Sequence, residues 1–192
     1  MKVGVLAVQG DFQAHAAAVS RLGAEAVLVK HARQVPEVEG LILPGGESTT
    51  WLKFLVQDDF SRAIREAAAQ GKPLLGTCAG AILMARKVEN PVQESLGLLD
   101  ATVRRNAYGR QVASFIARGE LCSPLGAGEM EMVFIRAPQF SALGAGVEVL
   151  ARCRDLPVLV RQGRLLAGAF HPELTGDPRV HQFFLNLIAG QR

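Results

Sequence analysis

Cysteine is scarce in this chain: three residues, Cys78, Cys122 and Cys153, with no paired spacing. An odd, unpaired set supports neither a disulfide framework nor a cysteine-rich zinc site, and a reducing cytoplasm suits it best. His-Glu-x-x-His and Cys-x-x-Cys patterns are missing too, so metal catalysis has no ligands and no metal or other cofactor is expected. No apolar run approaches the roughly 20 residues that span a bilayer. The run from Val3 to Val8, after Met1-Lys2, is shorter than a signal-peptide core of roughly 7–15 residues and reads as a first strand, so no membrane partner is expected. The chain also lacks a block of one charge: 21 basic and 18 acidic residues, scattered along it, leave a net charge of +3. That balance implies no nucleic-acid partner. Its densest basic group, Arg104, Arg105 and Arg110, is by default a solvated face. Repeats, low-complexity tracts and Pro- or Ser-rich linkers are absent.

What is present is 192 residues, 49% of them hydrophobic, with 20 glycines. One domain spanning 1–192 is expected, large enough to withdraw roughly 70% of its unfolded surface from water. Short apolar runs at Val3 to Val8, Ala26 to Val29, Leu41 to Leu43 and Leu74-Leu75 alternate with helix-like segments at Asp11 to Leu22 and Phe60 to Gln70. That alternation predicts βαβ units around a parallel sheet buried on both faces. Asp11 is placed to cap the first helix, and Gly71 with Pro73 stops the long one. After an elbow helix at Ala79 to Ala85 the texture becomes strand-like: Leu99 to Arg105, Val112 to Ala117, Met132 to Arg136, Val147 to Arg152 and Val158 to Arg161. These predict an antiparallel extension of the same sheet. Leu165 to Phe170 then reads as a strand and Arg179 to Ala189 as a closing helix.

Three segments carry chemistry. Gly76-Thr77-Cys78-Ala79-Gly80 follows the apolar run Pro73-Leu74-Leu75, so a strand turns sharply into a helix with a nucleophile at the bend. Free cysteine is more often core than catalyst, and Cys122 and Cys153 take that reading. Flanking glycines and a helix N-terminus instead predict Cys78 as an exposed thiol of lowered pKa. Lone histidines are usually satisfied structural residues, the reading given to His15, His31 and His181. His171 differs, because it follows a strand, precedes Pro172 and has Glu173 two residues on to accept one ring N–H and fix the tautomer. The order nucleophile, base, acid departs from that of the α/β-hydrolases. The third segment, Leu41 to Thr50, runs from a strand through Pro44-Gly45-Gly46-Glu47 into Ser48 or Thr49 as an N-cap. It lacks the Lys of a phosphate loop and carries an acid there, so ATP is not predicted. Its Gly46 peptide beside the nucleophile, with the N–H of Ala79, could supply two oxyanion donors.

Together, Gly-Thr-Cys-Ala-Gly, Pro-Gly-Gly-Glu-Ser and His-Pro-Glu resemble the class I glutamine amidotransferases. Val8-Gln9-Gly10, Pro44 to Thr50, Gly76 to Gly80, Arg105-Asn106-Ala107-Tyr108-Gly109-Arg110-Gln111, Phe134-Ile135-Arg136-Ala137-Pro138 and His171 to Thr175 are similar to the glutaminase subunits of pyridoxal 5'-phosphate synthase. The resemblance implies an α/β three-layer sandwich of flavodoxin-like type, with a mainly parallel central sheet extended by antiparallel strands. It implies that Cys78, His171 and Glu173 hydrolyse L-glutamine to glutamate and ammonia through a thioester. It also implies that Gly46, Glu47, Ser48, Arg105, Ile135 and Arg136 hold the substrate, and that a (β/α)₈ synthase subunit in a hetero-oligomer receives the ammonia and switches the glutaminase on. A different cysteine hydrolase on the same scaffold, a peptidase or γ-glutamyl hydrolase, is the alternative. Peptidase-like relatives commonly carry a His directly after the nucleophile, where this chain has Ala79. A non-enzymatic scaffold protein is a third reading, against which the triad argues.

Overall fold

A computed structural model describes residues 1–57, 59–105, 107 and 114–191. The elements run β1 (Lys2–Leu6), α1 (Phe12–Arg21), β2 (Glu25–Val29), β3 (Gly40–Leu43), α2 (Ser48–Gln57), α3 (Phe60–Ala69), β4 (Leu74–Thr77) and α4 (Ala79–Met84). They continue through β5 (Ala85–Glu89), β6 (Leu99–Arg104), β7 (Ser114–Leu121), β8 (Glu129–Ile135), β9 (Gln139–Leu143), β10 (Glu148–Cys153), β11 (Leu156–Gln162), β12 (Leu165–Gly168) and α5 (Arg179–Ile188). Short 3₁₀ turns lie at Ala32–Glu37 and Pro172–Leu174.

A nine-stranded sheet in the order β2-β1-β3-β4-β12-β11-β10-β7-β8 forms the middle of an α/β three-layer sandwich. Its first five strands are parallel and the remaining four join antiparallel. The parallel strands are short and apolar on both faces, as burial between two helical layers requires: all of β3 and β4 is buried. Helices contribute one stripe each, as in α3, which buries Phe60, Ile64 and Ala67 at a spacing near the helical repeat. On the sheet, Gly40 of β3 leaves room for Ile188 and Phe184 of α5, whose side chains would meet any Cβ there.

Three expectations need correction. β6 does not extend the central sheet; it forms a separate three-stranded sheet with β5 and β9, in the order β5-β6-β9. The sequence from Ala85 carries too little alternation to announce β5, and β6 is assigned to its sheet by those neighbours rather than by its own pattern. Asp11 occupies the N-cap position of α1 without a side-chain cap bond; its carbonyl accepts from Ala14 and His15 instead. At α2 a cap comes from Glu47, with Ser48 Oγ turned to Gln93 instead: Glu47 Oε2 accepts from the Thr50 N–H and Oγ1, both at 2.8 Å, while the Thr49 side chain lies outside the described residues. The expected strand start at Val112, and most of the segment Asn106 to Gln111, lie outside the described residues.

Candidate active site

Parallel strands β3, β4 and β12 are neighbours in register, with Leu43 opposite Gly76 and Thr77 opposite Gly168. Their carboxyl ends therefore open on one edge of the sheet, the edge where α/β folds place ligands. The three chemical segments leave from these ends: the Gly45-Gly46 loop from β3, Cys78 from β4 and His171 just after β12. Strand β8 points the same way and returns across the end of β12, where the His171 N–H donates to the Val133 carbonyl at 2.8 Å and Phe134 lies 6.0 Å from the Phe170 ring. This brings Ile135 and Arg136, five strands from β4 in sheet order, beside the cysteine.

Cys78 sits at φ 48°, ψ −103°, a conformation that L residues rarely adopt and that costs on the order of 1–3 kcal/mol. Its N–H bonded to Gly168 O at 2.8 Å and its carbonyl accepting from Ile82 N–H at 3.1 Å hold it there. The glycines around it serve a different purpose from the one expected. Neither Gly76 nor Gly80 has a positive φ. A Cβ on Gly80 would fall 1.9 Å from Leu43 O, and one on Gly76 would fall 2.7 Å from the Gly80 backbone. They let α4 lie directly on β3 and β4, while the strained bend is borne by the cysteine itself.

The thiol is more enclosed than the sequence suggests: Cys78 is 6% exposed, at the floor of a cavity of about 240 Å³. Gly46, Glu47, Ser48, Cys78, Arg105, Ile135, Arg136 and His171 all line it, joined by Asp11 and Ile82, which sequence reasoning did not select. Glu173 and Ala79 stand behind the wall, both buried. His171 Nδ1 and Glu173 Oε1 are 2.7 Å apart. Because a carboxylate only accepts, Nδ1 carries a proton, and Nε2 is the nitrogen left to exchange a proton with the thiol. Nε2 has no hydrogen-bond partner, while the thiol Sγ lies 3.6 Å from the Ile135 carbonyl, to which it donates. The sulfur is nonetheless close enough to act on the ring. Burial pulls the His171 pKa down, but hydrogen bonding and charge from Cys78 and Glu173 outweigh it and raise the value to about 10. Nucleophile and base are thus adjacent with the S–H still turned to a backbone acceptor.

The loop from β3 is held by Gln9, whose Nε2 donates to Glu47 O at 2.7 Å and whose Oε1 lies 3.4 Å from Glu47 N. Ser48 Oγ donates to Gln93 Oε1 at 3.0 Å, so Gln93 orients it. No local pattern marks Gln93; only the fold brings it to Ser48. Asp11, His171 and Glu173 offer donor atoms within 4.8 Å of one another. One His171 nitrogen is already committed to Glu173, so this grouping is an acid–base cluster rather than a set of open metal ligands.

Comparison with known proteins agrees with this geometry. Residues 5–189 match the model of the SNO glutamine amidotransferase family. The chain belongs to that family. A pyridoxal 5'-phosphate synthase subunit PdxT from Koribacter versatilis is 56% identical over 188 residues, covering 98% of this chain and 96% of the relative. The subunit of the same name from Thermus thermophilus is 54% identical over 187 residues, 96% of each chain. A crystal structure of a glutamine amidotransferase superposes with a TM-score of 0.90 at 51% identity, over 97% of this chain and 98% of that one. The PurLQS structure from Thermotoga maritima, at 16% identity and a TM-score of 0.75 over 97% and 98% of the two chains, shares the fold. The resemblance drawn from the motifs is therefore borne out for this family member.

Proposed function

We propose that residues 1–192 act as one glutamine amidotransferase domain, the glutaminase subunit of a glutamine-dependent pyridoxal 5'-phosphate synthase. It hydrolyses L-glutamine to L-glutamate and ammonia, and its named relatives at 48–56% identity are synthase subunits of this kind. The observation that carries the reading is one cavity holding Cys78 and His171 together, with Glu173 bonded to the ring from behind. Its volume, about 240 Å³, lies below the range of roughly 300–1,000 Å³ that suits drug-sized ligands, and fits a free amino acid.

In this reading His171 Nε2 holds the proton taken from Cys78, and the sulfur so activated attacks the amide carbon of glutamine. The same proton goes to the departing ammonia, and His171 then draws a proton from the water that opens the thioester to glutamate. Glu173 keeps the ring oriented throughout. Peptide N–H groups of Gly46 and Ala79 face the developing oxyanion; each such donor is worth about 3 kcal/mol in the transition state. Arg105 and Arg136 suit the substrate α-carboxylate and Glu47 its α-ammonium group, with Ser48 and Ile135 completing the wall. The ammonia passes to a (β/α)₈ synthase subunit docked in a hetero-oligomer. The S–H turned to the Ile135 carbonyl rather than to the ring supports an enzyme that reaches full activity on docking, because catalytic hydrogen bonds often tighten only in the working complex. Among the described residues no helix is long and apolar enough to cross a membrane.

The test is glutamate release by Cys78→Ala with the synthase subunit present. Complete loss is expected, and undiminished release removes the mechanism. Wild-type turnover of γ-glutamyl peptides in preference to glutamine would instead indicate a γ-glutamyl hydrolase.

A further inference from the structure

The triad does not end at Glu173. Its carboxylate is buried, Oε1 is used by His171, and Oε2 has no well-aligned hydrogen bond. A buried carboxylate oxygen left without a hydrogen bond is costly, and a carboxylate held on one side only is free to turn away from the ring it orients. Only 3.2 Å from Oε2 lies Nε2 of His15, a fully buried residue on α1 that the mechanism above does not use. The same Nε2 is 3.0 Å from Thr77 Oγ1, on the residue before the nucleophile, and His15 Nδ1 is 2.9 Å from Nε2 of His181 on α5.

These contacts fix the protons. Nε2 of His15 faces a carboxylate, which accepts and cannot donate, so a hydrogen on Nε2 is the arrangement that serves Glu173. Burial, and then the charges of His181 and His171, push the His15 pKa well down, which keeps the ring neutral and leaves Nδ1 as an acceptor. His181 Nε2 must then donate to it. His181 is neutral as well, its pKa lowered to about 4 by burial and by Arg21. Asp11, at the cavity lip just before α1, also offers a carboxylate oxygen within 4.8 Å of Glu173.

We propose that His15 is a positioning residue of the glutaminase, delivering an Nε2–H to the Glu173–Thr77 corner so that the acid stays aimed at His171, with His181 fixing its tautomer. The proposal rests on the glutaminase reading for its kinetic arm, and on the contacts and burial of His15 for its spectroscopic arm. α1 begins directly after Gln9-Gly10-Asp11, so one segment touches the oxyanion loop at its start and the back of the triad one turn later.

The first measurement is long-range ¹H–¹⁵N NMR of the four histidine rings in the free wild-type chain. The expected result near neutral pH is a neutral His15 with its proton on Nε2; a proton on Nδ1, or a cationic ring, overturns the proposal. The second is glutamate release by His15→Phe and His15→Gln in complex with the synthase subunit. The phenylalanine variant should lose about 10- to 100-fold in kcat, the range seen when residues supporting an active-site ligand are removed. Its KM should change by less than about twofold, since the lost contact orients the base and not the substrate. Glutamine at position 15 retains an N–H and should recover most of the loss. Unchanged kcat in His15→Phe, or equal impairment of both variants, overturns the proposal; if His15→Phe does not fold, the wild-type tautomer decides. An inactive wild-type complex with the expected tautomer counts against the glutaminase reading alone.

Discussion

Replacing Gly45 by alanine isolates the contact between the oxyanion loop and the catalytic base. Gly45 does not have a positive φ, so alanine meets no backbone penalty there. Its Cβ, however, would lie 2.5 Å from His171 Cε1, 3.1 Å from Nδ1 and 3.5 Å from Cys78 Cβ. Carbon atoms in ordinary contact sit about 3.5–4.0 Å apart, so the ring or the loop must yield by about 1 Å. Overpacking of this kind costs about 1–3 kcal/mol, a fall in Tm of about 2–12 °C for a chain of this size. Catalysis should suffer more than stability, because a misplacement of about 1 Å at the reacting groups costs about 10²-fold. The assay is glutamate release at saturating glutamine with the synthase subunit present, beside a thermal melt of the free chain. The expected pattern is a kcat about 10²-fold down in a protein that still melts cooperatively. A kcat within about twofold of wild type would refute the reasoning, since the base would then tolerate a displacement that general-base catalysis forbids.

Further outcomes follow from the same geometry. Glu173→Gln keeps the shape of the acid but not its charge, and should lower kcat by about 10²- to 10⁴-fold; a loss under about tenfold in steady-state assays would mean that the carboxylate does not orient His171. Gly10→Ala should destabilise the chain and disturb the oxyanion loop, because φ is +75° there and a Cβ would fall 1.9 Å from Gly45 O; an unaltered Tm and kcat would contradict this. Stability should decline on both sides of neutrality. His181, with a folded pKa of about 4 against an ordinary 6.5, refuses protons that the unfolded chain accepts, so its contribution is present above about pH 6.5 and lost as the pH falls toward 4. His171, with its pKa raised to about 10, contributes fully below about pH 6.5 and loses that contribution as the pH rises through 10. Urea midpoints at about pH 4.5, 7 and 10 test both, and a flat profile would show that these rings are not held as described.

Much of the parallel half was legible because its inner strands are buried on both faces and announce themselves as short apolar runs between helix signals. The three chemical segments were legible for a related reason. Each leaves the end of such a strand, so the topology that the runs imply places Gly46, Cys78 and His171 on one edge. β5, β9 and the separate sheet they form with β6 were not, since Ala85-Arg86-Lys87-Val88-Glu89 has only a weak alternation and its partner is set by tertiary contact. The glycines of the elbow stand out in the sequence, but their purpose does not: a pattern reports that a Cβ is excluded, not which neighbour excludes it. Asp11, Ile82 and Gln93 reached the site through packing of elements remote in sequence. His15 and His181 carried no local signal at all, as a single histidine on an apolar helix face looks the same whether it fills space or holds a proton.

The way β8 reaches the cavity has a consequence for how this protein loses its activity. The cysteine rests on β4, in the middle of the large sheet, whereas Ile135 and Arg136 hang from its outermost strand, paired on one side only. Border strands open at lower free energy than central ones. Warming or mild denaturant will therefore release the substrate-facing wall while the nucleophile's own support is still intact, and inactivation will run ahead of global unfolding.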